Sequence, residues 1–313
     1  MCCFSRCSPN LENGKAQGVE VLLDDGRRIK ILARITVASA GSIHTPALLL
    51  RSTVPNSNIG KHLRLHPVSA IAAIINSDNT EPFGGCIMSW YSDQAGNLDG
   101  KGYGVKLETP SVHPGLFGTA ATWNSPLSFK TKSIDFNRSI FGIALARDRD
   151  SGSVTVDKKG APRIHYPLSQ FDRNSIVEGL VILIKLLVVN GAKEIYTGHE
   201  LLPSLKPKST DVDAPEVKQY IAAVRKLGIQ DFRQPIFSAH QMGSCRLGSS
   251  PKTSVINATG ESWEIKNLFV ADASTFPTAS GVNPMITTES ISHYIAQRIK
   301  DKLSKLPKQA SKL

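Results

Sequence analysis

Cysteine is scarce and badly spaced for crosslinking: five in 313 residues, with Cys2, Cys3 and Cys7 crowded at the start and Cys86 and Cys245 far apart. An odd count excludes complete pairing, and no histidine stands at metal-ligand spacing from these thiols. Reduced cysteines in an intracellular compartment are therefore expected, and no metal site. Long apolar runs are also missing. The most apolar stretch, Ile176 to Val189, is 14 residues long and interrupted by Glu178 and Lys185. That is too short and too charged to span a bilayer, so a packed helix is predicted. Met1 to Asn10 has no apolar centre of the kind a cleavable signal peptide needs. Acidic residues are in deficit, 26 against 37 lysines and arginines, for a net charge of +11. Such an excess favours anionic surfaces. The basic residues are scattered, however, except for a tail of Arg298, Lys300, Lys302, Lys305, Lys308 and Lys312. They are not interleaved with aromatics, so a solvated basic surface is expected and a nucleic-acid partner is not.

What is present is ordinary globular material: 41% hydrophobic and 20% charged residues, long enough for a large core and two domains. Gly18 to Leu23 reads as a strand, Asp24-Asp25-Gly26 as a hairpin turn, and Ile29 to Ala38 as the returning strand. A small-residue turn, Ser39-Ala40-Gly41-Ser42, then opens a helix containing Pro46. Without large side chains, that turn lets backbone N–H groups approach a ligand. From Val68 the texture changes to short β-rich runs (Val68–Ile75, Cys86–Tyr91, Tyr103–Glu108, Ile140–Ala146, Ser153–Val156), which predict a largely antiparallel sheet. Helices are predicted over Phe171–Asn190, Glu216–Leu227 and Pro284–Leu303, with Pro284 in the first turn of the last.

Three residues near the C-terminus are candidates for chemistry. His240 precedes a Gly243-Ser244 turn, where an imidazole can face a ligand and move a proton near neutral pH, or serve as a structural histidine. Asp272 ends the apolar strand Leu268–Ala271, a position suited to ribose or ribityl hydroxyls, or to capping a helix. Asn283 precedes Pro284 and either caps the last helix or hydrogen-bonds a substrate oxygen.

Four stretches carry a family resemblance: Gly41-Ser-Ile-His-Thr-Pro-Ala-Leu-Leu-Leu-Arg-Ser, Asn58-Ile-Gly-Lys-His-Leu-Arg-Leu-His-Pro, His240-Gln-Met-Gly-Ser-Cys-Arg-Leu-Gly, and Val270-Ala-Asp-Ala-Ser-Thr-Phe-Pro through Gly281-Val-Asn-Pro. In this order they resemble the C-terminal portion of the glucose–methanol–choline (GMC) oxidoreductases, in particular the plant long-chain fatty alcohol oxidase branch. Gln241 stands where many members carry proline. The resemblance implies a mixed α/β fold: an incomplete Rossmann-like FAD-binding domain (1–67 and 236–313) interleaved with a mainly antiparallel substrate-binding domain that also carries helices (68–235). No strand–G-x-G-x-x-G–helix fingerprint occurs; Gly100, Gly102 and Gly104 lack its spacing and flanks. The resemblance therefore implies a chain that starts after the pyrophosphate-gripping turn of a longer enzyme.

By the same resemblance, FAD is the cofactor, and a long-chain primary alcohol and dioxygen are the reactants. His240 takes the hydroxyl proton while hydride goes to flavin N5, Asn283 holds the substrate oxygen, and hydrogen peroxide is released. Ser39, Ala40, Gly41 and Ser42 line the adenine or ribose half of FAD, Asp272 and Ala273 its pyrophosphate and ribityl chain, and Asn283, Pro284 and Met285 its pyrimidine end. Another GMC-type alcohol oxidase or dehydrogenase, a lyase, or a non-catalytic fragment are the alternatives. Ser311-Lys312-Leu313 matches a peroxisomal address and implies an import receptor. The alternative is an intracellular membrane, reached through an upstream portion.

Overall fold

The computed structural model describes residues 7–77, 80–120, 123 and 125–306. Ser311-Lys312-Leu313 lies outside them. The chain forms two compact units, each built from separate stretches of sequence. Unit 1 comprises Met1–Leu65, Asp150–Pro167 and Ala239–Leu313; unit 2 comprises His66–Arg149 and Leu168–Ser238. Both mix strands with helices, as the sequence predicts.

Unit 1 opens with an antiparallel meander of β1 (Cys7–Glu12), β2 (Lys15–Leu22) and β3 (Arg28–Leu32). The predicted hairpin turn is held by the Asp25 carboxylate, which accepts the Arg27 N–H at 3.0 Å. The predicted return strand Ile29–Ala38 is two strands. β3 stays on β2 and is exposed along its whole length. The chain then leaves for β4 (Thr36–Ala38), which pairs in parallel with β13 (Leu268–Val270). Burial explains the exchange of partners: all of β13 is buried, and Ala38 joins Leu268 and Val270 in a core with Leu49, Ile59 and Ile256. Helix α1 (Gly41–Arg51) follows β4 directly and buries Ala47 and Leu49. A small antiparallel sheet joins β5 (Lys61–Leu63), β10 (Gly152–Val156) and β11 (Pro162–His165). Thus Ser153–Val156, which reads from sequence as one of the middle-segment strands, pairs within unit 1. Helix α6 (Met285–Lys305) ends the described chain and buries only Ile295.

Unit 2 is one antiparallel sheet in the order β12-β6-β9-β8-β7, made of β6 (Val68–Ile74), β7 (Met88–Ser92), β8 (Val105–Pro110), β9 (Ser139–Ala146) and β12 (Glu194–Tyr196). Short helices α2 (Pro114–Ala120) and α3 (Pro126–Ile134), which the sequence reading does not include, lie between β8 and β9. Helix α4 (Gln170–Val189) covers one sheet face, with Ile176, Leu180, Ile184 and Val188 fully buried. Each such side chain contributes about 1.5–3 kcal/mol on burial. Gly179 sets the closeness of this packing: a Cβ there would lie 2.8 Å from Ala144 Cβ and Val105 Cγ2. Ser169 caps the helix, accepting the Asp172 N–H at 3.1 Å, while Asp172 Oδ2 accepts the Ser169 hydroxyl at 2.8 Å. Helix α5 (Pro215–Leu227) adds Val217, Ile221 and Val224 to the same core and fixes itself to α4 by a two-pronged Arg225–Glu178 pair at 2.9 and 2.8 Å. Among the described residues no helix is long and apolar enough to cross a membrane.

Candidate functional site

The candidate residues all fall in unit 1, where β4 and β13 end side by side. Their parallel pairing continues one step beyond both strands, with Ala271 N–H donating to Ala38 O at 3.1 Å. Ser39 reinforces it, its hydroxyl donating to Ala271 O at 2.9 Å. The carboxyl ends of neighbouring parallel strands are where α/β sheets offer a ligand crevice.

Asp272 organises this end of the sheet. Its Oδ2 accepts the Gly41 N–H at 2.9 Å and the Thr45 hydroxyl at 2.6 Å, and its Oδ1 accepts the Ser274 N–H at 2.8 Å. Thr45 Oγ1 in turn accepts the Ala40 N–H at 2.8 Å. The carboxylate is buried and largely committed to its own chain, with about one lone-pair site on Oδ1 left over. The helix-cap alternative for Asp272 is thus realised twice, at the first N–H of α1 and at the 3-10 turn Ala273–Thr275.

Ser42 joins the α1 turn to the His240 segment. Its hydroxyl donates to Gln241 O at 2.8 Å, and the Ser244 hydroxyl donates back to Ser42 O at 2.6 Å. The same segment is laced to the residues after Asp272: Gly243, Cys245 and Leu247 N–H groups donate to Ala273, Ser274 and Thr275 carbonyls at 3.1, 2.8 and 2.8 Å. Its other edge meets the residue that follows β5, Arg64 and Met242 exchanging backbone bonds at 2.8 and 2.9 Å. Only glycine fits at 243, where φ is +85° and a Cβ would stand 2.6 Å from His62 O. The turns carrying Ser39–Ser42, His240–Cys245 and Asp272–Ser274 are therefore one hydrogen-bonded lattice.

His240 is half-buried, and burial lowers its pKa below the usual 6.5, which keeps the imidazole neutral at pH 7. Asn283 stands outside the lattice. Its side chain is exposed and does not cap α6, because Pro284 occupies the N-cap position and the helix starts at Met285, one residue later than the sequence suggests. Met285 is 66% exposed and Val282 43%. The first turn of α6 carries no acidic residue and no side-chain cap, so its N–H groups keep the positive end of the helix dipole open.

Sequence reasoning did not assign roles to Thr45, Ser244 or His62. Thr45 and Ser244 were findable as hydroxyls beside the small-residue turns they brace. His62 had no such signal. It adopts φ +65° beneath Gly243, and its pKa is lowered to about 4 by burial, then by the charges of Arg246, Arg64 and Lys61.

Comparison with known proteins follows the same stretches. Family models described as GMC oxidoreductase match residues 6–68 and 148–292. The chain is 38% identical over 93% of its length to the long-chain-alcohol oxidase FAO4A of Arabidopsis thaliana, and 34% identical over 87% of its length to FAO3 of the same plant. It spans 40% and 37% of those two proteins. Among solved structures, formate oxidase of Aspergillus oryzae RIB40 superposes with a TM-score of 0.69 at 15% identity, over 96% of this chain and 61% of that one. An FAD-dependent oxidoreductase from Chaetomium thermophilum gives 0.56 at 13% identity, over 95% and 60%. At such identities the structures speak for the fold alone. The paired family matches, the plant relatives and the shared fold lead to one conclusion: the chain belongs to the GMC oxidoreductase family.

Proposed function

We propose that the protein is the catalytic portion of an FAD-dependent long-chain-alcohol oxidase, converting a primary alcohol and dioxygen to the aldehyde and hydrogen peroxide. The observation that carries this reading is the Ser42 junction, which locks the His240 segment to the turn between β4 and α1. The relatives named as long-chain-alcohol oxidases support the substrate class.

The residues present fit a flavin dinucleotide. A Cβ at Gly41 would meet nothing within 4 Å, so the backbone opening α1 is accessible to a large ligand. Thr278 Oγ1, in the loop before α6, is buried and unanswered. The uncapped start of α6 favours an electron-rich ring edge. Ser39 to Ser42 would line the adenine or ribose half, the backbone at Asp272–Ala273 the pyrophosphate and ribityl chain, and Pro284–Met285 the pyrimidine end. Asp272 itself then acts chiefly as a positioning residue, since its oxygens already hold Gly41, Thr45 and Ser274. When bound, FAD supplies the two-electron acceptor for the carbinol hydride. His240, neutral at pH 7, accepts the hydroxyl proton at an imidazole nitrogen, and the Asn283 amide N–H donates to the substrate oxygen.

The test is anaerobic reduction of the chain purified with FAD, read as bleaching of the flavin band on adding 1-dodecanol. His240→Ala should slow bleaching by about 10²–10⁴-fold with flavin retained. Asn283→Ala should cost about 10²–10³-fold. Because burial depresses the His240 pKa, the wild-type rate should begin to fall at a lower pH than an ordinary imidazole of pKa 6.5 would set. Undiminished turnover by His240→Ala would remove it as proton acceptor, and a chain that never takes up flavin would favour the non-catalytic reading.

A further inference from the structure

Helix α3 carries its apolar residues outward. Leu127, Lys130, Thr131 and Ile134 stand three or four positions apart and so share one face. Leu127 and Ile134 are 76% and 78% exposed, and the helix buries no residue. Its inner side is the polar one. Ser128 and Lys132 line a cavity, with the Lys132 ammonium 5.5 Å from the centre of the Tyr196 ring.

This face belongs to a wider apolar surface of unit 2. Trp123, 65% exposed, packs its ring 5.5 Å from Phe129 of α3. Phe129 also approaches α2 at Gly118, where a Cβ would stand 4.0 Å from its Cζ. Phe117 of α2 packs 5.3 Å from Phe136, which stacks at 6.1 Å on the exposed Phe83. Ring contacts thus link the exposed aromatics to the helix in one patch, of the kind that marks an interaction surface.

Charge selects what covers it. From Thr109 to Ile134 the chain has no aspartate or glutamate, and its ionisable side chains are His113, Lys130 and Lys132. Lys130 is exposed on the same face as Leu127 and Ile134. The next acid, Asp135, is paired with Arg138. A second copy seated on this face would bring another Lys130 and no carboxylate from the same segment, so self-association is disfavoured. An anionic bilayer surface suits all three residue types: aliphatics enter the acyl boundary, indole rests at headgroup level, and lysine reaches the headgroup charge.

We propose that the outward face of α3, together with Trp123, docks on the surface of a bilayer that contains anionic lipid. Leu127 and Ile134 enter the edge of the hydrocarbon, and Lys130 meets the headgroup anions. The contact is peripheral, because a helix of nine residues lies along a bilayer and cannot cross it. It uses unit 2 alone and does not depend on the oxidase reading.

Co-sedimentation of the full chain with vesicles of phosphatidylcholine and phosphatidylserine, at a ratio of about 7:3, tests the surface. Wild type should sediment with these vesicles and more weakly with phosphatidylcholine alone. The double variant Leu127→Ser, Ile134→Ser should bind about tenfold more weakly or worse, with an unchanged melting temperature because neither side chain is buried. Lys130→Glu should also weaken binding. Lys300→Ser with Lys305→Ser, which removes two exposed charges from α6, should matter less. Lipid brominated along its acyl chains should quench fluorescence of bound wild type, and Trp123→Phe should remove the quenched component.

Absence of binding by wild type, full binding by Leu127→Ser, Ile134→Ser, or no quenching by brominated lipid would overturn the proposal. An equal loss from the Lys300 and Lys305 changes would assign the binding to general basic charge. Self-association that the Leu127→Ser, Ile134→Ser variant abolishes would assign the face to a second copy instead.

Discussion

The Thr45 hydroxyl donates to Asp272 Oδ2 at 2.6 Å across 227 residues of sequence, and the same oxygen takes the first N–H of α1. This bond joins the turn after β4 to the turn after β13. The two halves of the candidate cofactor crevice therefore keep their spacing through one carboxylate.

Removing that carboxylate should loosen both turns. Asp272→Ala leaves the Gly41 and Ser274 N–H groups and the Thr45 hydroxyl without their acceptor in a buried setting, a loss of about 3 kcal/mol or more. Asp272→Asn retains one carbonyl oxygen and should cost less, about 1–2 kcal/mol. Urea unfolding of the two variants measures the difference, and equal stability of Asp272→Ala and wild type would refute the bracing role.

At Gly243 both space and backbone exclude a side chain. Alanine would force a Cβ to within 2.6 Å of His62 O at a φ of +85°. Gly243→Ala should lower the melting temperature by about 5–10 °C, in keeping with a few kcal/mol of strain. A variant that melts with the wild type would mean the loop relaxes freely.

His62 gives unit 1 a pH dependence of calculable sign. Its folded pKa of about 4 lies below the ordinary 6.5, so the unfolded chain binds the proton first. The stability contribution is fully present above pH 6.5 and is lost as pH falls from there toward 4. Asparagine tolerates the left-handed conformation this residue adopts, so His62→Asn should fold and show a flatter dependence across that window. Thermal melts at a series of pH values decide it; parallel curves would place the effect elsewhere.

The two cysteines whose side chains are described should differ in reactivity. Cys245 is fully buried, and burial followed by the Asp272 charge raises its thiol pKa, whereas Cys86 is exposed. Brief treatment with a maleimide should modify Cys86 and spare Cys245 until the protein is denatured, as read by peptide mass spectrometry. Labelling of native Cys245 would show that the lattice opens readily.

Much of the secondary structure was legible because its signals are local. Phe171–Asn190 carries helical periodicity, and the observed helix differs by one residue at each end. The Asp24-Asp25-Gly26 turn and the strands at Val68, Tyr103 and Ile140 were equally readable. The break between β3 and β4 was not, since it depends on Leu268–Val270 offering a buried parallel partner far along the chain. The placement of Ser153–Val156 beside Lys61–Leu63 escaped for the same reason.

By itself, the sequence determined which residue types could do chemistry and in what order: a base before a Gly-Ser turn, an aspartate after an apolar strand, and an asparagine before the last helix. The tertiary structure decided how those groups are used. It spends the Asp272 carboxylate on Gly41, Thr45 and Ser274, binds the His240 segment through Ser42 and Ser244, and leaves the Asn283 amide exposed. The physical reason is that a polar group's role depends on which partners burial brings within hydrogen-bond reach, and here, Ser274 apart, those partners lie some 200 residues away.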